Sequence, residues 1–309
     1  MQVLKEFESV GYQLPKKRSR ISKENGYYWE KKLSESQKTL LDIHDKTNWK
    51  DVELTQGYKT PKGIMKEIVW NLPGSKEKKD TCGKFKTLGC FNLKDHPNNL
   101  ALVQHTKLSC FRSACEYCWL EKWLARESRR ATLRIENYQK VVKQIGKTRF
   151  TNPIHVIVSP SWDDKFMRYD LLKKRCRELL DEAGIVGGLI IYHPFKLDKK
   201  KMKWVCMPHF HVIGFGWVLG ECVKKIHKEN GWVIKNKGVR NSLHSTIYYQ
   251  LSHAGVSDNI HSVTWFGELG YRSKYAELIK VENEGPNDCC EFCGKTLVTA
   301  EFVATDRGP

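Results

Sequence analysis

The sequence predicts an α+β fold, a mainly antiparallel central sheet with helices packed on one face, joined to zinc-knuckle elements. Three observations predict it. Between residues 150 and 275, apolar runs and amphipathic stretches follow the order strand, helix, strand, strand, helix, strand, helix. Two of the strand runs, LIIYHPF and WVCMPHFHV, are separated only by the charged turn KLDKKKMK, which makes them hairpin partners. Cysteine pairs at C-x-x-C spacing flank this region, in CEYC and CCEFCG.

The elements follow in order. Residues 1–80 are lysine-rich and poorly periodic, a basic and loosely structured region with a short helix around SESQKTLLDIH. Residues 81–150 form a cysteine-rich, zinc-binding and helical segment. From CEYC onward Trp119, Trp123, Leu124, Leu133 and Ile135 recur at roughly helical spacing. Arg126, Arg129, Arg130 and Arg134 lie between them, on a face that is either solvated or in contact with phosphates. Pro153 introduces the strand IHVIVSPSW. KFMRYDLLKKRCRELLDEAG is an amphipathic helix stopped by Gly184. Asp163 and Asp164 ahead of it are N-cap candidates, with metal ligation as the alternative. The hairpin pair comes next, then the helix LGECVKKIHKENG, ended by Gly231, and the short strand WVIKN. NSLHSTIYYQLSHAG is a helix with Asn241 or Ser242 as cap and Gly255 as stop. SVTWFGELGY closes this 151–280 domain as a strand or hairpin, and residues 281–309 are a tail with the second knuckle.

Composition narrows the function classes. Of 309 residues, 40% are hydrophobic, as expected for a globular chain with a sizeable core. The net charge of +18, from 53 Lys and Arg against 35 Asp and Glu, points to a polyanionic partner. Nucleic acid is the simplest such partner, and an anionic membrane surface is the rival. The longest apolar stretches, such as AGIVGGLIIY, are too short to span a bilayer. The first residues lack the apolar core of a secretory signal, so a cytoplasmic protein is expected. In a reducing compartment, eleven cysteines with C-x-x-C pairs indicate metal before disulfide.

The chemistry concentrates in PHFHVIGFG. Side chains two apart on a strand share a face, so His209 and His211 project together while Phe210 turns to the core. A polar solvent face is one reading of the pair. The hairpin brings His193 near them, and three neutral imidazoles from adjacent strands make a set of ligands for a divalent cation with coordination positions left open. His193 alone also reads as a hydrogen-bonded strand-end histidine. On the following helix, Tyr248 and Tyr249 are candidate nucleophiles. They point about 100° apart, so only one faces the metal. Tyr249 shares a face with His253, whereas Tyr248 joins Ile247 and Leu251 in a buried stripe.

A structural zinc needs four ligands. Cys115 and Cys118 supply two, and the preferred partners are Cys82 and Cys90, with Cys110 as substitute and His96 and His105 between them. Cys290 and Cys293, beside Cys289, form a second pair with no obvious partners downstream. They either reach back to the upstream cysteines or form half a site. Cys176, Cys206 and Cys222 read as buried small residues.

IHVIVSPSW, PHFHVIGFG and IYYQLSHAG, in that order, resemble the three motifs of HUH endonucleases of the replication-initiator (Rep) class, which starts rolling-circle replication of small plasmids and viruses. The approach through YHPF and then PHFH is similar to archaeal plasmid and virus members, and the resemblance covers residues 150–275. It implies that Mg²⁺ or Mn²⁺ on His209, His211 and His193 activates a scissile phosphate in single-stranded origin DNA. A tyrosine then attacks, leaving a 5′-phosphotyrosine and a free 3′-hydroxyl, so the enzyme nicks and rejoins DNA. Many relatives carry a lysine three residues after the tyrosine, and some a second tyrosine one turn on. Counted from Tyr249, those positions hold Ser252 and His253. An HUH transposase or relaxase is the alternative within the class, although relaxases usually place the tyrosine ahead of the histidines. A zinc-containing nucleic-acid-binding protein without catalysis is the alternative outside it. The sequence has no G-x-x-x-x-G-K-[ST] loop, so strand separation is expected from a host helicase, with a host polymerase extending the 3′ end.

Overall fold

A hairpin of β1 (Glu53–Lys59) and β2 (Met65–Asn71) precedes β3 (Phe85–Cys90), β4 (Leu102–Lys107) and helix α1 (Ala125–Gln144). There follow β5 (Ile154–Ser159), α2 (Tyr169–Glu182), β6 (Ile185–Asp198), β7 (Lys203–Gly216), α3 (Gly220–Asn230) and β8 (Val233–Val239). Helix α4 (Leu243–Ser252), β9 (Val263–Gly267) and β10 (Val298–Thr299) complete the chain order. The computed structural model describes residues 53–60, 62–146, 151–198, 200–201, 203–258, 260–281 and 289–300, all within one unit, Thr47–Pro309. The helix expected around SESQKTLLDIH lies outside the described residues. No described helix is long and apolar enough to cross a membrane.

The chain is α+β with antiparallel sheets. The central sheet has the order β8-β5-β7-β6-β9, and each of its ladders is antiparallel. β6 and β7 are its long central hairpin, with Ile191 opposite His211 and His193 opposite His209. The register shifts between His193 and Phe195, where Pro194 on one strand faces Met207 and Pro208 on the other. Proline donates nothing to a ladder, so it collects at such bulges, and the bulge bends the sheet beside the histidines.

Helices cover both faces of this sheet, not one. On the first face Val156, Val158, Ile190, Tyr192, Phe210 and Val212 pack against α2 and α3. Helix α2 buries Leu172, Cys176, Leu179 and Leu180, spaced as one helical stripe. On the second face Leu189, Ile191, Ile213 and Phe215 meet α1 and α4. The β6–β7 alternation runs to bulky apolar residues on both sides, the signature of a sheet buried on two faces. Each fully buried aliphatic side chain contributes roughly 1.5–3 kcal/mol of transfer free energy.

Two expectations for the flanking segments are corrected. The region 1–80 is not loosely structured throughout: the β1–β2 hairpin places Trp70 and Leu72, both fully buried, in the first core. Trp70 donates through Nε1 to Gln56 Oε1 (3.0 Å) and stands edge-on to Tyr169. Arg134, expected on a solvated or phosphate-contacting face, is buried. It donates to the Leu269 carbonyl from Nε and Nη2 at 3.2 and 3.0 Å and lies over the Trp265 and Tyr271 rings. It shares the stripe of Ala131, Ile135 and Tyr138, at i, i+3, i+4 and i+7.

Helix α4 is fixed at both ends. The Ser242 hydroxyl accepts from the Ser245 amide at 3.1 Å, an N-cap bond. The helix ends at Ser252, three residues before the expected stop at Gly255. Gly255 donates its amide to the Tyr192 carbonyl (3.0 Å), and a Cβ there would lie 2.5 Å from Pro194 Cδ. This close approach, which only glycine permits, anchors the end of α4 to β6 beside His193.

The third sheet joins distant segments in the order β10-β3-β4, with Val298 opposite Gly89. The described part of the 281–309 tail therefore packs with the 81–150 segment. Its core is small, built on Leu88, Cys90, Cys290 and Leu297.

Candidate metal centre

His193, His209 and His211 each offer one ring nitrogen, and the three atoms lie within 4.8 Å of one another, an arrangement that could hold a metal ion. Strand pairing puts the rings together: centroids are 4.5 Å apart for His193 and His211, and 5.1 Å for each of the other two pairs. Burial drives all three away from protonation, and the neighbouring imidazoles add to this at His193 and His211. A set of neutral imidazoles is in the ligand form without having to release protons first.

Hydrogen bonds settle which nitrogens face inward. His193 donates from Nε2 to the Gln250 carbonyl of α4 at 2.9 Å, which leaves Nδ1 buried with no hydrogen-bond partner. His209 donates from Nδ1 to the Met207 carbonyl at 2.8 Å, leaving Nε2. An orphaned lone pair in a buried site costs free energy unless something fills it, and a cation does so. His211 is held differently. Arg240 donates from Nε and Nη2 to His155 Nδ1 (3.2 and 3.1 Å), so His155 donates from Nε2 to His211 Nδ1 (2.9 Å). A metal on His211 Nε2 requires the reverse order along this pair, with Arg240 turned away. Arg240 is an exposed side chain, so that change needs no repacking.

His155 was not singled out in the sequence, although IHVIVS alternates and sets it on the face of Ile157, which is opposite His211. Burial first, then the charges of Arg240 and Lys237, push its pKa down to about 4 from the usual 6.5. The unfolded chain therefore takes up a proton below pH 6.5 that the native state refuses. Stability is complete above that pH and is lost as the pH falls toward about 4. His155 alone contributes about 3 kcal/mol to this loss. With no Mn²⁺ or Mg²⁺ added, thermal melts should show the wild type losing more stability than His155→Gln between about pH 7 and about pH 4.5. Parallel curves for the two proteins would contradict the assignment.

The tyrosine helix approaches from the side of His193. The Tyr249 ring is 4.9 Å from His253, and His253 is 4.4 Å from His193. Tyr248 packs into the second core with Ile247 and Leu251, and its ring lies 6.1 Å from His244. Burial raises both phenols above their usual range. Neither Asp163 nor Asp164 belongs to this set of ligand atoms. Asp163 precedes the short turn Asp164–Phe166 without making a side-chain cap, and Asp164 accepts from Trp232 Nε1.

Two further clusters could each hold a zinc ion. Cys82, Cys110, Cys115 and Cys118 form the first. Sulfur separations of 3.6 Å (Cys82–Cys118), 3.7 Å (Cys110–Cys118) and 3.9 Å (Cys82–Cys115) bracket the edge of about 3.8 Å that a tetrahedron of 2.3 Å Zn–S bonds requires. Cys90, His96, Cys290 and Cys293 form the second, with Cys290 Sγ 3.2 Å from His96 Nε2. His96 Nδ1 donates to the Leu100 carbonyl at 2.8 Å and so fixes the tautomer that presents Nε2. The preferred pairing of Cys82 with Cys90 is thus corrected: Cys110 completes the first set and Cys90 belongs to the second. Cys289 is exposed and outside both, as is Cys206. In each set one thiol ionises early. Burial opposes it at Cys110, but hydrogen bonds from Arg112 bring that thiol down to about 6. A backbone hydrogen bond from Lys295 brings Cys293 down to about 6. Elemental analysis should find two zinc ions per chain, and Cys115→Ser and Cys290→Ser should each lose one. Loss of both ions from either variant would show that the two sets are not independent sites.

Among the expected phosphate-contacting arginines, Arg126 pairs with Glu127 at 3.1 Å and stacks on Phe111, and Arg130 reaches the same carboxylate at 3.6 Å. Arg129 is exposed. Comparison of the chain with family models, with curated proteins and with solved structures gave no match.

Proposed function

We propose that the protein is a metal-dependent single-strand DNA endonuclease and strand-transferase of the HUH replication-initiator type. The observation that carries this reading is the convergence of three neutral imidazoles, two buried and one half-buried, with a tyrosine-bearing helix whose His253 touches both Tyr249 and His193. His193, His209 and His211 would hold Mg²⁺ or Mn²⁺. When bound, such an ion would supply charge neutralisation at the scissile phosphate and would favour the phenolate form of a phenol that burial alone disfavours. Tyr249 Oη forms the bond to phosphorus and gives up its proton. The bond from phosphorus to the 3′-oxygen breaks, and that oxygen takes up a proton to become a 3′-hydroxyl. Reversal with another 3′-hydroxyl rejoins the strand. The net charge of +18 supports a polyanionic substrate.

The two cysteine clusters by themselves would suit a non-catalytic zinc-containing binder. Such a protein has no need of a buried histidine, His193, with an orphaned ring nitrogen and a link through His253 to a tyrosine. The test is incubation with labelled single-stranded oligonucleotides in Mn²⁺ and in EDTA. Cleavage with a detergent-resistant protein–DNA adduct in Mn²⁺ alone is the expected result. Equal cleavage in EDTA, or none in Mn²⁺ or Mg²⁺ across a varied oligonucleotide pool, would overturn the reading.

A further inference from the structure

A groove of about 450 Å³ opens directly onto His209. Its lining includes Ser161, Trp162, Lys165, Lys196, Lys235 and Lys237. Its volume falls within the roughly 300–1,000 Å³ of small-ligand sites. Among the described residues, the lining holds four lysines and no carboxylate. At its mouth Trp162 is 76% exposed, unusual for so large an aromatic residue, and the Lys165 ammonium lies over its ring.

The loop that carries Trp162 is braced from beneath. Lys165 donates its amide to the Ser161 carbonyl at 3.1 Å, and the Ser161 hydroxyl accepts from the Asp164 amide at 3.1 Å. Gln56, buried in the β1–β2 hairpin, donates from Nε2 to the Lys165 carbonyl (3.3 Å). Its Oε1 accepts from Trp70 and from the Tyr192 hydroxyl at 2.9 Å. Trp232 adds a bond to Asp164. An exposed indole on a loop fixed this firmly is a preorganised platform rather than a side chain left over from packing.

We propose that this groove binds an unpaired nucleotide of single-stranded DNA, with a base stacked on Trp162 and the adjoining phosphates held by Lys165, Lys196, Lys235 and Lys237. The inference rests on the proposed nuclease function and adds where the substrate strand runs next to the histidines. Stacking accepts any base, because every base has a π face, whereas the bases of a duplex are already stacked on each other. Lysines contribute through phosphate neutralisation and make binding dependent on salt.

The test measures the affinity of the full chain for fluorescein-labelled oligothymidylate and for a duplex of equal length. Trp162→Ala should weaken single-strand binding by about five- to a hundredfold and leave duplex binding unchanged. Lys235→Ala with Lys237→Ala should flatten the salt dependence on the single strand by about one and a half units of logarithmic slope. Circular dichroism melts on each variant confirm the fold, and Trp162→Tyr, which keeps a stacking face, should restore most of the affinity. Unchanged single-strand affinity in Trp162→Ala, or equal losses on single strand and duplex, overturns the groove. If the wild type forms no adduct in Mn²⁺ but Trp162→Ala still loses single-strand affinity, the nuclease reading fails while the groove stands.

Discussion

His209→Ala loses metal-dependent cleavage of single-stranded DNA by at least about a hundredfold and keeps its affinity for DNA. The two effects separate because they have different sources. In the proposed mechanism, charge neutralisation at the scissile phosphate would depend on a cation held by the three ring nitrogens that converge here, and removing one would break the set. Affinity for DNA, in the same proposal, would come from the lysines and arginines behind the net charge of +18, whereas the His209 imidazole bonds to the Met207 carbonyl. His209 is the better site for this test than His211. It is only partly buried and its ring bonds to the Met207 carbonyl, so alanine there removes a ring nitrogen of the set with little packing. His211 is buried and bonded to His155, so its alanine variant also strands a buried imidazole. Calorimetry should show Mn²⁺ binding lost in His209→Ala, with a melting temperature close to wild type. Full cleavage by the folded variant would remove the histidine set from the chemistry.

Tyr249→Phe abolishes the covalent adduct and Tyr248→Phe retains it. Phenylalanine keeps the ring and removes only the nucleophilic oxygen, so stability should change by no more than about 1 kcal/mol. The geometry separates two neighbours that the sequence alone barely distinguishes. Tyr248 belongs to the packing of the second core, on the side of His244. Tyr249 leads through His253 to His193. Electrophoresis under denaturing conditions with labelled DNA reads the outcome. An adduct in Tyr249→Phe that disappears in Tyr248→Phe would reverse the roles, and an adduct in both would remove this helix from the reaction.

The order of strands and helices in the central domain was legible because each element carries its own period and its own stop, as at Gly184 and Gly231, both at positive φ. The pairing of β6 with β7 followed from a short charged turn. What escaped the sequence had a physical reason in each case. The β1–β2 hairpin sits in a lysine-rich stretch, and only the alternation of Ile68, Trp70 and Leu72 marks its buried side. Arg134 was assigned by its charge, while its helical position already placed it with Ala131, Ile135 and Tyr138. The cysteine sets interleave along the chain, so spacing cannot separate them. Strand β3 does so, ending at Cys90 opposite Leu102 and carrying that thiol toward Cys290 and Cys293. The hydrogen bonds that orient the three histidines come from Gln250, Met207 and His155, and no spacing rule points to them.

The most direct measurement is mass mapping of the adduct. The protein is incubated with single-stranded DNA and Mn²⁺, the DNA is digested to its first nucleotide, and the peptides are sequenced by fragmentation. The expected product is a nucleotide joined through its 5′-phosphate to Tyr249. A nucleotide on any other residue, or DNA cleaved with no covalent intermediate, would contradict it.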